Sequence, residues 1–311
     1  MPKKKAPKPL HLSLPATSAN LGPAFDAAAL AMNLYITIDA RPAPDFSIKA
    51  QGRDAQICEA VDNHLIFQTY REILQARGGE PIPLSLSIKN DIPIGKGCGS
   101  SAAARLAGIA MANHFGRLHW KDSQIIGEAS RREHHPDNAS ASWMGGLTVA
   151  RMSGESEALV ASIRPKGKWP LLLAIPDDPL ATEEARRVLP DQYSRADAVV
   201  NIQNSMLLLA AFTQGRRDLL AAALHDRIHQ PHRAQLCPLL PCLQELAGNS
   251  GVLGAVLSGA GPSVLVFLDP NASAQKAKKI IAEHLQKSGF GAELLLTSIA
   301  ERGARHTVST R

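Results

Sequence analysis

Glycine, serine and alanine are concentrated in one short stretch of the sequence, "PIGKGCGSSAAARLAG" at residues 93–108. Glycines stand at alternate positions from 95 to 99, and two serines follow in front of an alanine-rich apolar run. Glycine adopts positive φ and lets the backbone approach a ligand closely. The apolar run predicts a helix, whose first N–H groups and positive dipole end bind anions. This chemistry suits a polyphosphate, with Ser100 and Ser101 as helix caps, phosphate donors or magnesium ligands.

Three other interpretations of the stretch compete with this one. A Walker phosphate loop needs GxxxxGK[ST], and that string does not occur, because Lys96 stands in the wrong register before the serines. Gly97-x-Gly99-x-x-Ala102 satisfies a dinucleotide-binding pattern, but a proline interrupts the place where its buried strand should run. A tight loop whose serines only cap a helix stays open on these residues alone.

Strands and helices interleave along the chain without the regular alternation of a doubly wound sheet. Period-2 or continuous apolar patterns predict strands at 45–52, 84–93, 169–176 and 292–299, the last as the final strand, and a strand–turn–strand pair at 251–269. Helical spacing predicts helices at 63–79, 100–113, 121–135 with Asp122 or Ser123 as its cap, 196–215, 218–228 and 272–289. The pattern predicts an α+β protein of two lobes, divided near residues 155–170.

Composition excludes several functional classes. The chain has 311 residues, enough for one large or two ordinary domains, and no apolar stretch approaches the roughly 20 residues of a membrane span. Much of the net charge of +6 lies in a basic tail at residues 1–9, and aromatic residues make up only 4%, so we expect no nucleic-acid partner. The start does not resemble a signal peptide, which predicts a cytoplasmic protein. The four cysteines and the His134–His135 pair lack the spacing of a disulfide framework or zinc site.

Four segments in series resemble the motifs of the GHMP kinases, and within them those of homoserine kinases. They are "PATSANLGPAFD" at 15–26, "PIGKGCGSSAAA" at 93–104, "EHHPDNAS" at 133–140 and "LSGAGPSVLVF" at 257–267. The resemblance extends from residue 10 to about 299. It implies a two-lobed α+β fold, with an N-terminal ATP-binding domain at 10–160 and a C-terminal ferredoxin-like α/β-sandwich domain at 161–311.

The resemblance implies phosphoryl transfer from ATP to the side-chain hydroxyl of L-homoserine, a step of threonine biosynthesis, by an enzyme that is often a dimer. The ATP phosphates would lie against Pro93, Ile94, Gly95, Lys96, Gly97, Cys98, Gly99, Ser100 and Ser101. Ser101 and a glutamate would hold Mg²⁺. Glu133 is the first candidate for that glutamate, and Glu128 stays open as the second.

The same resemblance assigns the acceptor site. Asp26 would pair with the ammonium group, and Arg186 and Arg233 would hold the carboxylate, ideally by bidentate hydrogen bonds. Asn20, His135 and Asn138 would supply directional hydrogen bonds. No lysine stands where other GHMP kinases pair it with an aspartate, so we expect Asn138 to orient the hydroxyl while its proton passes to phosphate or solvent.

Departures from the family strings put the fine substrate preference in question. Ala24 and His134 stand where glycine is usual, and we expect their added bulk close to the substrate. "ASASW" replaces the usual "VAPA" run, and Cys98 replaces a leucine, which predicts a loop sensitive to thiol reagents. A GHMP kinase for another small alcohol, such as mevalonate or shikimate, and a nucleotide-binding pseudokinase remain as alternatives.

Overall fold

The structure, a computed structural model, describes residues 7–62 and 64–308 and contains two β-sheets. The larger sheet has seven strands: β1 (Leu10–Ala19), β2 (Ala28–Pro42), β3 (Ser47–Gly52), β4 (Leu84–Asn90), β5 (Leu147–Met152), β6 (Ala158–Ile163) and β11 (Arg305–Val308). Their order is β11-β1-β2-β4-β3, and β5 pairs with both β2 and β6. The predicted domain boundary at residues 160/161 falls inside β6, and the chain returns to this sheet at its end.

The smaller sheet belongs to the second half of the chain. Its four strands are β7 (Pro170–Ile175), β8 (Val252–Leu257), β9 (Val264–Leu268) and β10 (Glu293–Ser298), in the antiparallel order β10-β7-β9-β8. Helices separate β7 from β8 and β9 from β10, which gives the ferredoxin-like βαββαβ sequence. The predicted two-lobed α+β fold is therefore confirmed. The expectation that β10 is the last strand is wrong, because the short β11 follows it and pairs with β1.

Helices cover both sheets. Their bounds are α1 (Ala55–Glu59), α2 (Leu65–Ala76), α3 (Ser100–Gly116), α4 (Asp122–Glu133), α5 (Asp137–Met144), α6 (Thr182–Arg187), α7 (Arg195–Gln214), α8 (Leu220–Ala223), α9 (Gln230–Arg233), α10 (Leu239–Gln244) and α11 (Ala274–Lys287). The predicted cap of α4 is wrong: Lys121 is the N-cap, since Asp122 already begins the helix. The helix predicted at 218–228 is reduced to a 3₁₀ turn and the short α8.

Helix α3 lies at the centre of the first lobe, packed against α2, α4, α5 and β1. Its residues 102, 103 and 106–112 are all buried, and most of them are alanine or larger apolar residues. A helix that is apolar on every side is stable only inside a core. This packing fixes the start of α3 at the cleft between the two sheets.

Two sequence-based expectations concern the outside of the protein. Residues 1–6 of the predicted basic tail lie outside the described residues, whereas the carbonyl oxygen of Lys8 accepts a hydrogen bond from His114 Nε2 at 2.8 Å. Throughout 7–62 and 64–308, no helix has the length and apolar character needed to cross a membrane.

Candidate active site

The glycine loop, residues 93–99, joins β4 to α3 and lies between the two lobes. Gly97 and Gly99 both have positive φ, 74° and 72°. A Cβ on Gly99 would lie 1.9 Å from Thr17 Oγ1, and one on Gly97 would lie 2.2 Å from the carbonyl oxygen of Ser258. Any residue with a side chain would therefore clash with β1 or with the turn between β8 and β9. The loop needs glycine at these two positions.

The first turn of α3 has N–H groups free for an anion. Gly99 is its N-cap, no side chain caps it, and the first intrahelical bond runs from Ala103 N to Gly99 O at 3.0 Å. Ser100 and Ser101 come before Ala103, so their amide N–H groups have no partner within the helix. Neither serine is the cap, so the capping role considered for them is wrong. The arrangement suits phosphate, because the amides and the helix dipole act together.

Both lobes hold the loop in place. Thr17 N donates to Cys98 O at 3.0 Å, Ser258 Oγ donates to Gly97 O at 2.8 Å, and Lys96 Nζ donates to backbone carbonyls of the second lobe. The Cys98 side chain faces inward, with 1% of the residue exposed, and burial raises the pKa of its thiol to about 12. Burial of the thiol argues against the expected sensitivity to thiol reagents, since only an accessible thiolate reacts.

Glu133, at the end of α4, lies beside the serines of the loop. Ser101 Oγ donates to Glu133 Oε1 at 2.7 Å, and Arg105 Nε donates to the same oxygen at 2.5 Å. Glu128 lies elsewhere: Arg131 and Arg132 hold its carboxylate at 2.7–3.1 Å. Carboxylate and hydroxyl oxygens are the hard ligands that Mg²⁺ prefers. The donor set of Ser101 and Glu133 fits that ion, and sequence reasoning missed Arg105.

At the opposite side of the cleft, Asp26 and Arg186 form a bidentate pair that joins the lobes. Arg186 Nη2 and Nη1 donate to the two Asp26 oxygens at 2.7 and 3.1 Å, and both side chains are about one-third exposed, at 35% and 31%. Asn20 shapes the turn that carries Asp26, because its Oδ1 accepts from Asp26 N at 2.9 Å and its Nδ2 donates to Gly259 O. The two groups expected to take the ammonium and the carboxylate thus lie together, each within reach of an incoming charge.

The start of α5 adds a buried polar cluster to the first lobe. His135 Nδ1 lies 2.5 Å from Asp137 Oδ1, and Thr17 Oγ1 donates to Asn138 Oδ1 at 2.6 Å. Burial alone would lower the pKa of His135, but the hydrogen bond and charge of Asp137 raise it above the usual value. The Thr17 contact leaves the Asn138 amide nitrogen as the donor for a hydroxyl in the cleft. Sequence reasoning missed Thr17 and Asp137, although both stand inside the family-like segments.

Asp26, His135 and Asp137 have ligand atoms within 4.8 Å of one another, an arrangement compatible with a cation. The Arg186 guanidinium already pairs with Asp26 there, and Asp137 Oδ1 also accepts from Asn138 N at 2.6 Å. The cluster is therefore better suited to an organic cation beside Arg186 than to a metal ion.

Arg233, which lies in α9, belongs to the wall contributed by the second lobe. Only 1% of it is exposed, and its Nε donates to Ala185 O at 2.9 Å. Burial and the nearby Arg186 lower the pKa of Arg233 to about 10. Together the groups of both lobes line one cleft, with Arg233, Arg186 and Thr182 from the second lobe and the glycine loop from the first.

A second, apolar pocket of about 500 Å³ adjoins the loop on the side of α1. It shares Gly95, Ser100 and Ser101 with the cleft, and its other walls are mainly aliphatic, from Ile57, Ile66, Ile92 and Ile94 among others. A flat apolar group bound there would be continuous with phosphates at the helix start. The sequence analysis placed Ile94 in the phosphate-binding loop, but it did not single out Ile57, Ile66 or Ile92, which lie in three separate segments.

Two of the departures from the family strings do not reach the cleft. Ala24 packs in the core against α7, and His134 is exposed at the end of α4, so the expected bulk near the substrate is wrong for both. His134 has φ 68°, which explains why a glycine is usual at this position.

Comparison with known proteins assigns the family. The model of the GHMP kinases N terminal domain matches residues 64–146, and that of the GHMP kinases C terminal matches 208–287. Homoserine kinase of Solibacter usitatus is 42% identical over 94% of this chain and 95% of its own, and that of Synechocystis sp. is 38% identical over 95% and 97%. The crystal structure of homoserine kinase from Cytophaga hutchinsonii has a TM-score of 0.80 at 21% identity and covers 99% of this chain and 100% of its own, which supports the fold. The chain therefore belongs to the GHMP kinases and, within them, to the homoserine kinase family.

Proposed function

We propose that the protein transfers the γ-phosphoryl group of ATP to the side-chain hydroxyl of L-homoserine, giving ADP and O-phospho-L-homoserine for threonine biosynthesis. One observation carries the proposal: a single cleft combines an uncapped helix start with a carboxylate and two arginines. The helix start suits phosphate, and the carboxylate with the two arginines matches a zwitterionic amino acid. The family membership supports the same reaction.

ATP fits the loop and the apolar pocket as one continuous surface. The purine would lie among the isoleucines beside α1, and the phosphates would follow Gly95 to the amides of Ser100 and Ser101. Ser101 and Glu133 would hold Mg²⁺, which neutralises phosphate charge during transfer. The Arg105 contact keeps Glu133 directed at Ser101.

Homoserine would lie across the cleft from these phosphates. Its ammonium would meet Asp26, and its carboxylate would meet Arg186 and Arg233. The Asp26–Arg186 pair is only partly buried, so the substrate charges can share it with little loss of solvation. The hydroxyl would then point at the loop, where Asn20, His135 and Asn138 supply hydrogen bonds.

Phosphoryl transfer depends mainly on positioning and electrostatics. The acceptor oxygen forms the new bond to phosphorus as the bond from phosphorus to ADP breaks. We propose that Asn138, fixed by Thr17, donates its amide N–H to that oxygen and so orients a lone pair. The hydroxyl proton leaves to the transferred phosphate or to solvent.

The decisive assay measures ADP release from ATP and Mg²⁺ with L-homoserine, L-threonine, mevalonate, shikimate or no acceptor in parallel. Turnover with homoserine alone is the expected result. Turnover only with another acceptor would overturn the substrate and leave the ATP site standing. ATP binding without turnover on any acceptor would indicate a pseudokinase.

We also infer a cytoplasmic homodimer without a nucleic-acid or membrane partner. The four cysteines are unpaired, which suits a reducing compartment. Val199, Ile202 and Met206 form an exposed apolar stripe on α7, at 47%, 60% and 64% exposure, which a second copy would cover. Sedimentation of the wild-type protein and an Ile202→Glu variant tests this, and a monomeric wild type would contradict it.

A further inference from the structure

His229 is a fully buried histidine that no catalytic role uses so far. It precedes α9, and its two ring nitrogens contact different parts of the acceptor site. Nε2 lies 2.8 Å from the carbonyl oxygen of Gly22, in the turn that carries Asp26. Nδ1 lies 3.1 Å from Arg233 Nη1. One side chain therefore connects Arg233, expected to bind the carboxylate, with the turn that carries Asp26.

The partners determine which nitrogen carries the proton. The Arg233 guanidinium only donates, so Nδ1 must accept. The Gly22 carbonyl only accepts, so Nε2 must donate. His229 is thus a neutral imidazole protonated at Nε2, and burial lowers its pKa in agreement with this state.

The surroundings favour this tautomer and hold the ring in place. Asp226 Oδ2 lies 3.4 Å from Nε2, but it accepts from the backbone N–H groups of His229 and Gln230 at 3.0 and 2.6 Å. The ring of Phe25 stacks on His229 at 5.2 Å and lies beneath the Arg233 guanidinium at 5.3 Å. Turn, histidine and arginine therefore form one packed unit.

Arg233 has limited freedom because of these contacts. Its Nε donates to Ala185 O and its Nη1 to His229, and the guanidinium is planar, so two bonds fix its orientation. The Arg233 side chain also lines the cleft, and its remaining N–H groups would be the ones to meet a substrate carboxylate.

We propose that His229 is a positioning residue of the acceptor site, which, as the Nε2–H tautomer, fixes Arg233 relative to the turn that carries Asp26. This inference rests on the proposed function. His229 would thereby set the spacing between the carboxylate and ammonium subsites and select amino-acid acceptors over alcohols that lack the carboxylate.

Three variants separate the two contacts. His229→Gln places an amide near the Nε2 position and retains a donor for Gly22 only. His229→Asn places an amide near the Nδ1 position and retains an acceptor for Arg233 only. His229→Leu removes both contacts. His284→Gln is the matched control, because His284 also bonds a backbone carbonyl, that of Cys242 at 2.9 Å, but far from the cleft.

The measurements are KM for homoserine, KM for ATP and kcat, together with the affinities for homoserine and for 3-aminopropan-1-ol, which lacks the carboxylate. For His229→Leu we expect KM for homoserine to rise about tenfold or more, and KM for ATP to change less than about twofold. His229→Asn should recover only part of the loss, because Arg233 keeps its acceptor while the link to Gly22 is absent. His229→Gln should lower the preference for homoserine over 3-aminopropan-1-ol, and His284→Gln should change none of these values.

Equal rises in both KM values, or an unchanged preference in His229→Gln, would reduce His229 to a structural role and overturn the proposal. A ¹⁵N-histidine spectrum of the wild-type enzyme, assigned with His229→Leu, tests the tautomer without any substrate. The Nε2–H form is expected at pH 7, and an imidazolium or Nδ1–H form would overturn the proposal. Failure of wild-type turnover with homoserine would instead overturn the proposed function.

Discussion

The two ends of the cleft are made of different chemical groups. The phosphate end consists of backbone, the amides of Ser100 and Ser101 presented by glycines. The acceptor end consists of side chains, Asp26 from one lobe and the two arginines from the other. Amides at a helix start can bind phosphate whatever the acceptor is, whereas in the proposed function the acceptor would be chosen by the side chains that the lobes bring together. On that proposal, substrate specificity would belong to the interface between the lobes.

Two buried histidines also differ, in the direction in which their pKa is shifted. Burial lowers the pKa of both rings. For His135 the hydrogen bond and charge of Asp137 outweigh burial and raise the pKa, whereas for His229 burial dominates, Asp226 opposes it and Arg233 adds to it. Whether a carboxylate accepts directly from the ring therefore decides whether burial prevails.

The largest effect is expected from Gly99→Ala at the phosphate end. The added Cβ would meet Thr17 Oγ1 at 1.9 Å, at a φ of +72°, so the loop must move. We expect kcat/KM to fall by about a hundredfold or more and ATP affinity to weaken. Gly289→Ala, with φ +76° and no atom within 4 Å of its Cβ, controls for backbone strain alone. Wild-type ATP affinity in Gly99→Ala would contradict the assignment of the loop.

Asp26→Asn should affect the acceptor end alone. Loss of the charge facing the ammonium should raise KM for homoserine by roughly thirtyfold, since a hydrogen bond to a charged group is worth about 1.5–3 kcal/mol. KM for ATP should stay within about twofold. Asp39→Asn, which breaks an exposed pair with His11, is the control. An equal change in both KM values would remove the distinction between the two ends.

Glu133→Gln sharpens the assignment at the phosphate end. We expect the Mg²⁺ concentration for half-maximal activity to rise about tenfold, because a neutral amide replaces the charged metal ligand. Glu128→Gln should leave that concentration unchanged and lower the melting temperature, since it disrupts the pairs with Arg131 and Arg132. If Glu128→Gln raises the Mg²⁺ requirement instead, the two glutamates exchange roles.

Acid stability distinguishes His229 from an ordinary histidine. Burial lowers the pKa of His229 in the folded protein, Arg233 adds to this effect, and Asp226 and Asp26 oppose it. The unfolded chain therefore binds the extra proton first, below about pH 6.5, and stability falls as pH drops further. His229→Gln should lose less stability than wild type between pH 6.5 and 5, by about 1 kcal/mol in urea titrations. Identical pH profiles would contradict a neutral His229.

The smallest effect is expected from thiol reagents. Cys98 is buried and the pKa of its thiol is raised, so iodoacetamide at pH 8 should leave ATP affinity unchanged. Mass spectrometry should find Cys98 unmodified in the folded protein and alkylated after unfolding. Modification in the folded state with loss of ATP binding would show that the loop opens.

Much of this protein follows from local sequence. Alternating apolar residues predict β3 and β4, and the apolar run after the glycine loop predicts α3 and its place in the core. Positive φ at the loop glycines is equally local, because glycine has no Cβ to exclude that region. Residue type and spacing therefore determined the fold class, the glycine loop and the list of candidate charges.

Only the tertiary structure decided which of these residues meet. It placed Glu133 rather than Glu128 beside Ser101, paired Asp26 with Arg186 across 160 residues of sequence, and put His229 between Gly22 and Arg233. It also moved Ala24 and His134 away from the cleft. A residue's type fixes what its side chain can donate or accept, but its partner depends on the docking of distant segments, and local propensity carries no information about that.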